Sequence, residues 1–568
     1  MGTALQTLIN GTPTGGANPW IDSLVWGGAW AAPSGGTVTI SYAAAQGGAA
    51  TLFSGVSLGW TQSDLAAVKR AFARWEAVAD IDFAASSRQN ADVQLWKLNN
   101  AQMGGSLGYS EVPGYGSGTK INLAVNAAHA SWNYLGNGGY GFVTLVHEIG
   151  HLLGLAHPHD GGLAGDATTF PGVTGPFGSY GTYELNQGIF TVMSYNDGWP
   201  AHYPGHNNYG YGWQLSPMAL DIAAIQGIYG ANMTRATGDN IYRLPTANAT
   251  GVGWRCIWDA GGADQIRFEG QGACTIDLRD APLTGANAGG YVSYAAGIVG
   301  GLTIANGVVI EKGIGGNGAD QITGNGADNV LRGRGGSDVI FGLDGHDTLA
   351  GGGSSDRLFG GLGDDQLNLS GGNDTLDGGG GSDTVSYGGR TGIRIDLNVG
   401  GAQATGIGTV TLTGIENVRG GNGSDRLVGD TQDNLLTGNG GRDALFGGDG
   451  NDTLDGGRGP DTLTGGLGAD TFLFHDAGDS RPGNRHDEIR DFTSGSDIID
   501  LSGIDAHAAT PTDDAFVFSG TTAAAGAVWY GISGSDVLVY FDVDGDAKAD
   551  GEILVRNVSA VNAWDFSL

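Results

Sequence analysis

A nine-residue period fills much of the second half of this chain. Eight consecutive units occupy 315–386, and six more occupy 420–473. The sixth position of the first block reads Asp320, Asn329, Asp338, Asp347, Asp356, Asp365, Asp374 and Asp383. That of the second reads Asp425, Asn434, Asp443, Asp452, Asp461 and Asp470. The eighth position is nearly always apolar, as in Ile322, Leu331, Ile340, Leu349, Leu358 and Leu367. One apolar residue per unit cannot build a core alone, so neighbouring units must stack to share one. Glycine, 109 of 568 residues, allows positive φ at the tight turns such stacking needs. It shows no triplet period, so a collagen-like triple helix is excluded. The fixed sixth and eighth positions argue against a disordered Gly/Asp-rich linker.

The repeat matches the pattern GGxGxDxUx, which marks calcium-binding parallel β-rolls. Stacking places the aspartates in a row at the turns, where they would repel one another unless neutralised. Ca²⁺ takes six to eight oxygens, and carboxylates with turn carbonyls supply them. The approaches to the two blocks are alike. GGADQIRF at 261–268 and GGSDTVSY at 380–387 are each followed by Ile-Asp-Leu, and Ile310-Glu311 and Ile415-Glu416 precede the blocks. This reads as an internal duplication.

Before residue 232 the pattern is mixed α/β. Val38, Ile40 and Tyr42 alternate like a half-buried strand. Val93 with Leu95, and Ile121 with Leu123 and Val125, read as further strands. After Ser63, a candidate N-cap, Leu65, Val68, Phe72, Trp75 and Val78 form one helix face. Phe142 to Leu153 and Met218 to Tyr229 read as two more helices.

Residues 147–158 read HEIGHLLGLAHP. His147 and His151, four apart on a helix, project from one face and can share a metal. Gly154 lets the chain turn back, and His157 returns as a third nitrogen ligand. Three imidazoles leave a position open for water, the mark of a catalytic rather than a structural zinc site. Glu148, between the helical ligands, is placed to act as general base on a zinc-activated water. Val192-Met193-Ser194-Tyr195 follows downstream, and a methionine turn after the extended histidine motif defines metzincins.

The Met-Ser-Tyr turn together with the nonapeptide repeat resembles the serralysin family, and the resemblance runs over nearly the whole chain. It implies an α+β fold: a metzincin-like α/β catalytic domain followed by an all-β parallel β-roll domain. It implies one catalytic Zn²⁺ on His147, His151, His157 and Tyr195. Tyr195 would also swing away to hydrogen-bond the tetrahedral intermediate, and Met193 would floor the metal. It implies several structural Ca²⁺ ions. Their ligands map to Ala236, Gly238, Asn240, Asp259, Gly261, Gly262, Asp264 and Glu311, and then to the repeat aspartates. The expected division is a catalytic domain at 1–232, a β linker with calcium sites at 233–314, roll blocks at 315–386 and 420–473 around an intervening β segment at 387–419, and a C-terminal β segment at 474–568. The closing Asp565-Phe566-Ser567-Leu568 resembles the tail read by a type I secretion apparatus.

A net charge of −33 argues against nucleic acid as a partner. No apolar run is long enough to span a membrane, and the start MGTALQTLINGTPTGG lacks the layout of a cleaved Sec-type signal. The expected protein is therefore a secreted, extracellular zinc endopeptidase acting on proteins or peptides. Two other readings are a roll-based surface or binding protein with a non-catalytic zinc site, and a different zinc hydrolase or toxin. The intact Glu148 argues against the first and the methionine turn against the second. Gly104 to Gly114 is a candidate edge strand for pairing with an extended substrate. Cys256 and Cys274 are open between a disulfide and two free thiols, and His159, His202 and His206 read as solvated loop histidines.

Overall fold

The computed structural model describes residues 5–7, 18–30, 36–50, 53–114, 120–160, 169–200, 202, 203, 206, 208–507 and 514–568. It forms two compact units, Met1–Gly316 and Asn317–Leu568.

In the first unit, five strands make one sheet: β1 (Val38–Ala44), β2 (Ile81–Ala85), β3 (Val93–Leu98), β4 (Gly108–Ser110) and β5 (Ile121–Asn126). Their order is β2-β1-β3-β5-β4, with only β4 antiparallel to its neighbour. Three helices of eleven residues or more accompany it: α1 (Gln62–Glu76), α2 (Tyr140–Leu152) and α3 (Ala219–Tyr229). The N-cap of α1 is Thr61, not Ser63: the Thr61 hydroxyl accepts from the Asp64 amide while the Asp64 carboxylate accepts from the Thr61 amide. This reciprocal box satisfies two orphan donors at once, which Ser63 cannot do from inside the first turn. The apolar face of α1 packs on α2, and Trp75 Nε1 donates to Val146 O at 3.1 Å. The Tyr229 hydroxyl of α3 donates to Leu153 O at 2.8 Å, bracing the end of α2.

The 233–316 segment is part of this same unit. Its strand Gly253–Ile257 pairs in parallel with Trp213–Gln214 and with Gly301–Ile304. Cys256 and Cys274 are both free and buried, so the two-thiol alternative holds.

In the second unit the strand register advances by eighteen residues, not nine. Leu331 pairs with Leu349, Leu349 with Leu367 and Leu367 with Val385 on one sheet, while Ile340, Leu358 and Leu376 pair on another. One nonapeptide crosses each face, so two make one coil. The eighth-position side chains of both blocks are buried between the sheets. At the 387–419 insertion, Asn417–Arg419 carries one sheet onward, whereas the opposite sheet runs through Thr409–Thr413 to an antiparallel edge at Gln403–Ala404, and a new sheet starts at Arg394–Asp396. An antiparallel run of Ala527–Ser533, Asp536–Phe541 and Gly551–Val555 follows. The tail is packed rather than free: Phe566 pairs with Ile499, and the buried Asp565 carboxylate accepts from Ser494 and Gly495. Among the described residues no helix is long and apolar enough to cross a membrane.

Candidate metal centre and calcium ladder

Helix α2 presents His147 and His151 one turn apart, and Gly154 ends it with φ +104°. A Cβ at 154 would also lie 2.3 Å from Gly28 O, so both conformation and space demand glycine there. The turn brings His157 back against the helix. Each imidazole uses Nδ1 as a donor: His147 to Val192 O at 2.8 Å, His151 to Leu155 O at 2.8 Å, and His157 to the Asp160 carboxylate at 2.6 Å. With the protons fixed on Nδ1, all three Nε2 atoms carry lone pairs, and these converge. His157 Nε2 lies 3.0 Å from His147 Nε2 and 2.9 Å from His151 Nε2. Facing lone pairs cannot satisfy one another; a cation can satisfy all three, and the group is suited to hold one. Nitrogens ~2.1 Å from a tetrahedral zinc would stand about 3.4 Å apart, so zinc fits with an opening of a few tenths of an ångström. Burial and the neighbouring imidazoles hold His147 down to about 3 and His151 well below its usual range, which keeps both as neutral ligands.

Glu148 is buried beside the triad, and burial pushes its carboxyl up to about 8; a dication nearby works in the opposite direction. Its carboxylate packs against the α-carbon of Gly108 in β4, where a Cβ would come within 2.3 Å of Oε1. The Tyr195 ring lies 4.5 Å from that of His157 and 5.7 Å from that of His147, centroid to centroid. Burial and the Glu148 and Asp160 carboxylates raise its phenol to about 12, so it stays a hydrogen-bond donor. Met193 is fully buried beneath α2.

Asp221 and Asp160, which the sequence did not single out, complete the site. Asp221, at the start of α3, accepts from the Thr191 hydroxyl at 2.6 Å and from the Val192 and Met218 amides at 2.7 and 2.8 Å. Val192 O in turn orients His147, so Asp221 positions the ligand through the methionine turn. Asp160 orients His157. His159 is not a solvated loop residue: it stacks on His157 at 5.0 Å and lies 5.0 Å from Tyr195. Sequence spacing cannot reveal that stacking. His202, in contrast, is exposed and stacks on Trp199, and His206 Nε2 meets Tyr211 O.

The residues mapped to the first calcium site come together. Asp264 Oδ1 accepts from the Asn240 amide at 2.7 Å, and Glu311 accepts from the Asp264 amide at 2.6 Å. Asp259 accepts from the Gly261 amide. Ala236, with φ +52°, accepts from the Ala260 amide. Gly262 approaches Gly238 O so closely that a Cβ would sit 2.5 Å away. The second oxygen of Asp264 is buried with no partner, and burial with the Asp259 and Glu311 carboxylates raises its pKa to about 6. Such a group is short of a cation.

In the roll the aspartates form two ladders, one along each edge. Asp338, Asp356 and Asp374 each accept, through Oδ1, the amide of the sixth-position residue eighteen before, at 2.8 to 3.0 Å. Asp347, Asp365 and Asp383 do the same on the other edge. Asp443, Asp452 and Asp470 repeat the pattern in the second block, and Asp425 accepts from Ile393. The Oδ2 atoms of Asp338, Asp347, Asp356, Asp365, Asp383, Asp443, Asp452, Asp461 and Asp470 are buried without a partner. Two rows of orphaned carboxylate oxygens beside turn carbonyls are the donor set calcium takes. The ladders outrun the repeat: Asp461 donates its amide to Asp487 and Asp470 to Asp497, 26 and 27 residues on. The duplication is visible in the contacts, because Glu416 accepts from the Asp383 amide as Glu311 does from Asp264.

The comparisons with known proteins agree in kind. Residues 58–163 match the family model described as Matrixin, and residues 369–566 that described as Peptidase M10 serralysin C terminal. Residues 314–349 and 350–385 match the RTX calcium-binding nonapeptide repeat. "Metalloprotease AprA" of Pseudomonas entomophila is 31% identical over 280 residues, 46% of this chain and 53% of that protein. "Serralysin" of Proteus mirabilis is 33% identical over 275 residues, 45% of this chain and 50% of its own length. "Serralysin C" of Dickeya chrysanthemi is 33% identical over 276 residues, 45% and 52%. The chain thus spans about half the length of the curated relatives it matches. A matrixin segment, which in its family implies a catalytic zinc, is followed by RTX calcium-binding repeats and a serralysin C-terminal region, and over about half their length the chain is similar to proteins named serralysin.

Proposed function

We propose that this protein is a zinc endopeptidase stabilised by calcium and exported from the cell. One observation carries the reading: the buried carboxylate of Glu148 stands beside three imidazole Nε2 atoms that converge on one point. A structural zinc site has no use for that carboxylate. Zinc held by His147, His151 and His157 supplies a Lewis acid that polarises a peptide carbonyl and acidifies water. Glu148 takes a proton from the attacking water on its carboxylate and passes it to the leaving amine nitrogen. Tyr195 would be a further residue able to hold the metal, and its phenol, protonated at working pH, would donate to the oxygen that gains charge on the scissile carbon. Edge strand β4 offers backbone groups to an extended substrate.

The calcium ligands are proposed as the 236–264 cluster with Glu311 and the repeat aspartates, the orphaned oxygens being their support. The six-part division, with catalysis in 1–232, is kept as the functional partition. Export by a type I apparatus to the cell exterior rests on the match of 369–566 to the serralysin C-terminal model. Hydrolysis of unfolded casein with and without a zinc chelator, restored by added zinc, tests the activity. Equal hydrolysis in both arms would reject it.

A further inference from the structure

A cavity of about 290 Å³ opens beside His147 and Glu148 and runs between α2 and the methionine turn. Its walls are mixed, with Leu107, Val143 and Val192 beside the hydroxyls of Thr144 and Ser194. A further carboxylate, Asp197, also lines it and accepts from the Tyr140 hydroxyl at 3.3 Å. Tyr140 lies seven residues before His147 on α2, about 10 Å along the helix at ~1.5 Å per residue. Among the described residues no lysine or arginine lines the cavity. An acid in a cavity lined by both apolar and hydroxyl side chains, with no lysine or arginine among the described lining residues, suits a long side chain with an aliphatic stem and a cationic head.

The direction of the substrate follows from β4. Among the described residues β4 is an edge strand that can take a further strand, and antiparallel pairing is the more stable ladder. The cavity takes its wall from Gly105 to Gly108, at the start of β4, while the groove lined by Ser110, Glu111 and Val112 lies toward its end. A peptide antiparallel to β4 therefore lays its residues after the scissile bond along the Asp197 side.

We infer that the cavity lined by Asp197 selects substrates with arginine or lysine immediately after the scissile bond. This rests on the peptidase reading above and names its substrate class. Peptides differing only at that residue (Arg, Lys, Leu, Gln or Glu) test it. The zinc- and calcium-loaded enzyme is expected to favour Arg and Lys over Leu by about tenfold or more in kcat/KM. Asp197→Asn and Asp197→Ser should bring that ratio close to one, and Asp197→Lys should turn it toward Glu. Binding gives a second readout. In zinc-loaded Glu148→Ala protein, a dipeptide amide beginning with Arg should bind more tightly than one beginning with Leu, and adding Asp197→Asn should remove the difference. Cleavage that favours Leu, a ratio unmoved by the Asp197 variants, or a basic preference before the scissile bond would overturn the inference while leaving the peptidase reading intact. Loss of all cleavage in the zinc-loaded protein would remove both.

Discussion

The α-carbon of Gly150 faces the sulfur of Met193: a Cβ at position 150 would lie 2.6 Å from Sδ. Gly150 sits on α2 between the two helical histidines, so the methionine turn packs directly under the ligand-bearing turn. Gly150→Ala must push Met193 away or tilt the helix. Overpacking of this kind costs about 1–3 kcal/mol. The expected result is a lower midpoint of denaturant unfolding and weaker zinc retention against a competing chelator. A variant matching the parent in both would mean that this contact does not set the site.

Asp221 makes a related prediction from the other side of the turn. Its carboxylate accepts three hydrogen bonds at the methionine turn and the head of α3. Asp221→Asn keeps the shape but supplies one accepting oxygen instead of two. The expected loss is about 2 kcal/mol of stability, with zinc affinity lowered because Val192 no longer fixes His147. Zinc titration alongside denaturant unfolding checks both parts.

Gly108→Ala places a methyl group where the Glu148 carboxylate now lies. Zinc should remain bound, because none of the three imidazoles is touched. Turnover should fall by about 10²-fold or more, the usual scale for a displaced general base. Metal content and casein hydrolysis measured on one preparation decide it.

The roll should respond to pH with a definite sign. Burial raises Asp338, Asp347 and Asp443 to about 7 and Asp461 to about 8 in the calcium-free fold. Their unfolded values lie near the ordinary carboxylate range of about 4. Between these limits the folded roll binds more protons than the unfolded chain, so its calcium-free stability falls as pH rises. Calcium competes with those protons, so its affinity rises over the same window. Hydrogen-exchange protection across 317–473, each rate taken relative to the intrinsic base-catalysed rate at that pH, should be greater at pH 5 than at pH 8 in the whole protein freed of calcium and supplied with zinc. Protection independent of pH would contradict the assignment.

Local spacing made the histidine triad and most ladder aspartates legible, because both are fixed by short periods. His147 and His151 are one helical turn apart, and the sixth position recurs every nine residues. A nine-residue period alone does not say whether one unit or two complete a coil, so the two ladders emerged only from the eighteen-residue register. Asp487 and Asp497 continue those ladders off the period, at 26 and 27 residues. Asp221 reads locally as an acid in the first turn of a helix, a capping position; its reach to Val192 is a tertiary contact. Asp197 carries no motif and acquires meaning only when the methionine turn sets it opposite Tyr140. Thr61 and Ser63 both offer a hydroxyl at the head of α1, and the reciprocal bond to Asp64, a three-residue relationship, decides for Thr61.

The claim on which the rest depends is that Glu148 moves the proton in peptide hydrolysis while the three histidines hold the metal. Zinc content and casein hydrolysis of Glu148→Ala, measured side by side with the parent protein, test it most directly. The account predicts one zinc per chain in both, with hydrolysis reduced by about 10²–10⁴-fold in the variant. Parent-like turnover in a fully zinc-loaded Glu148→Ala protein would contradict it.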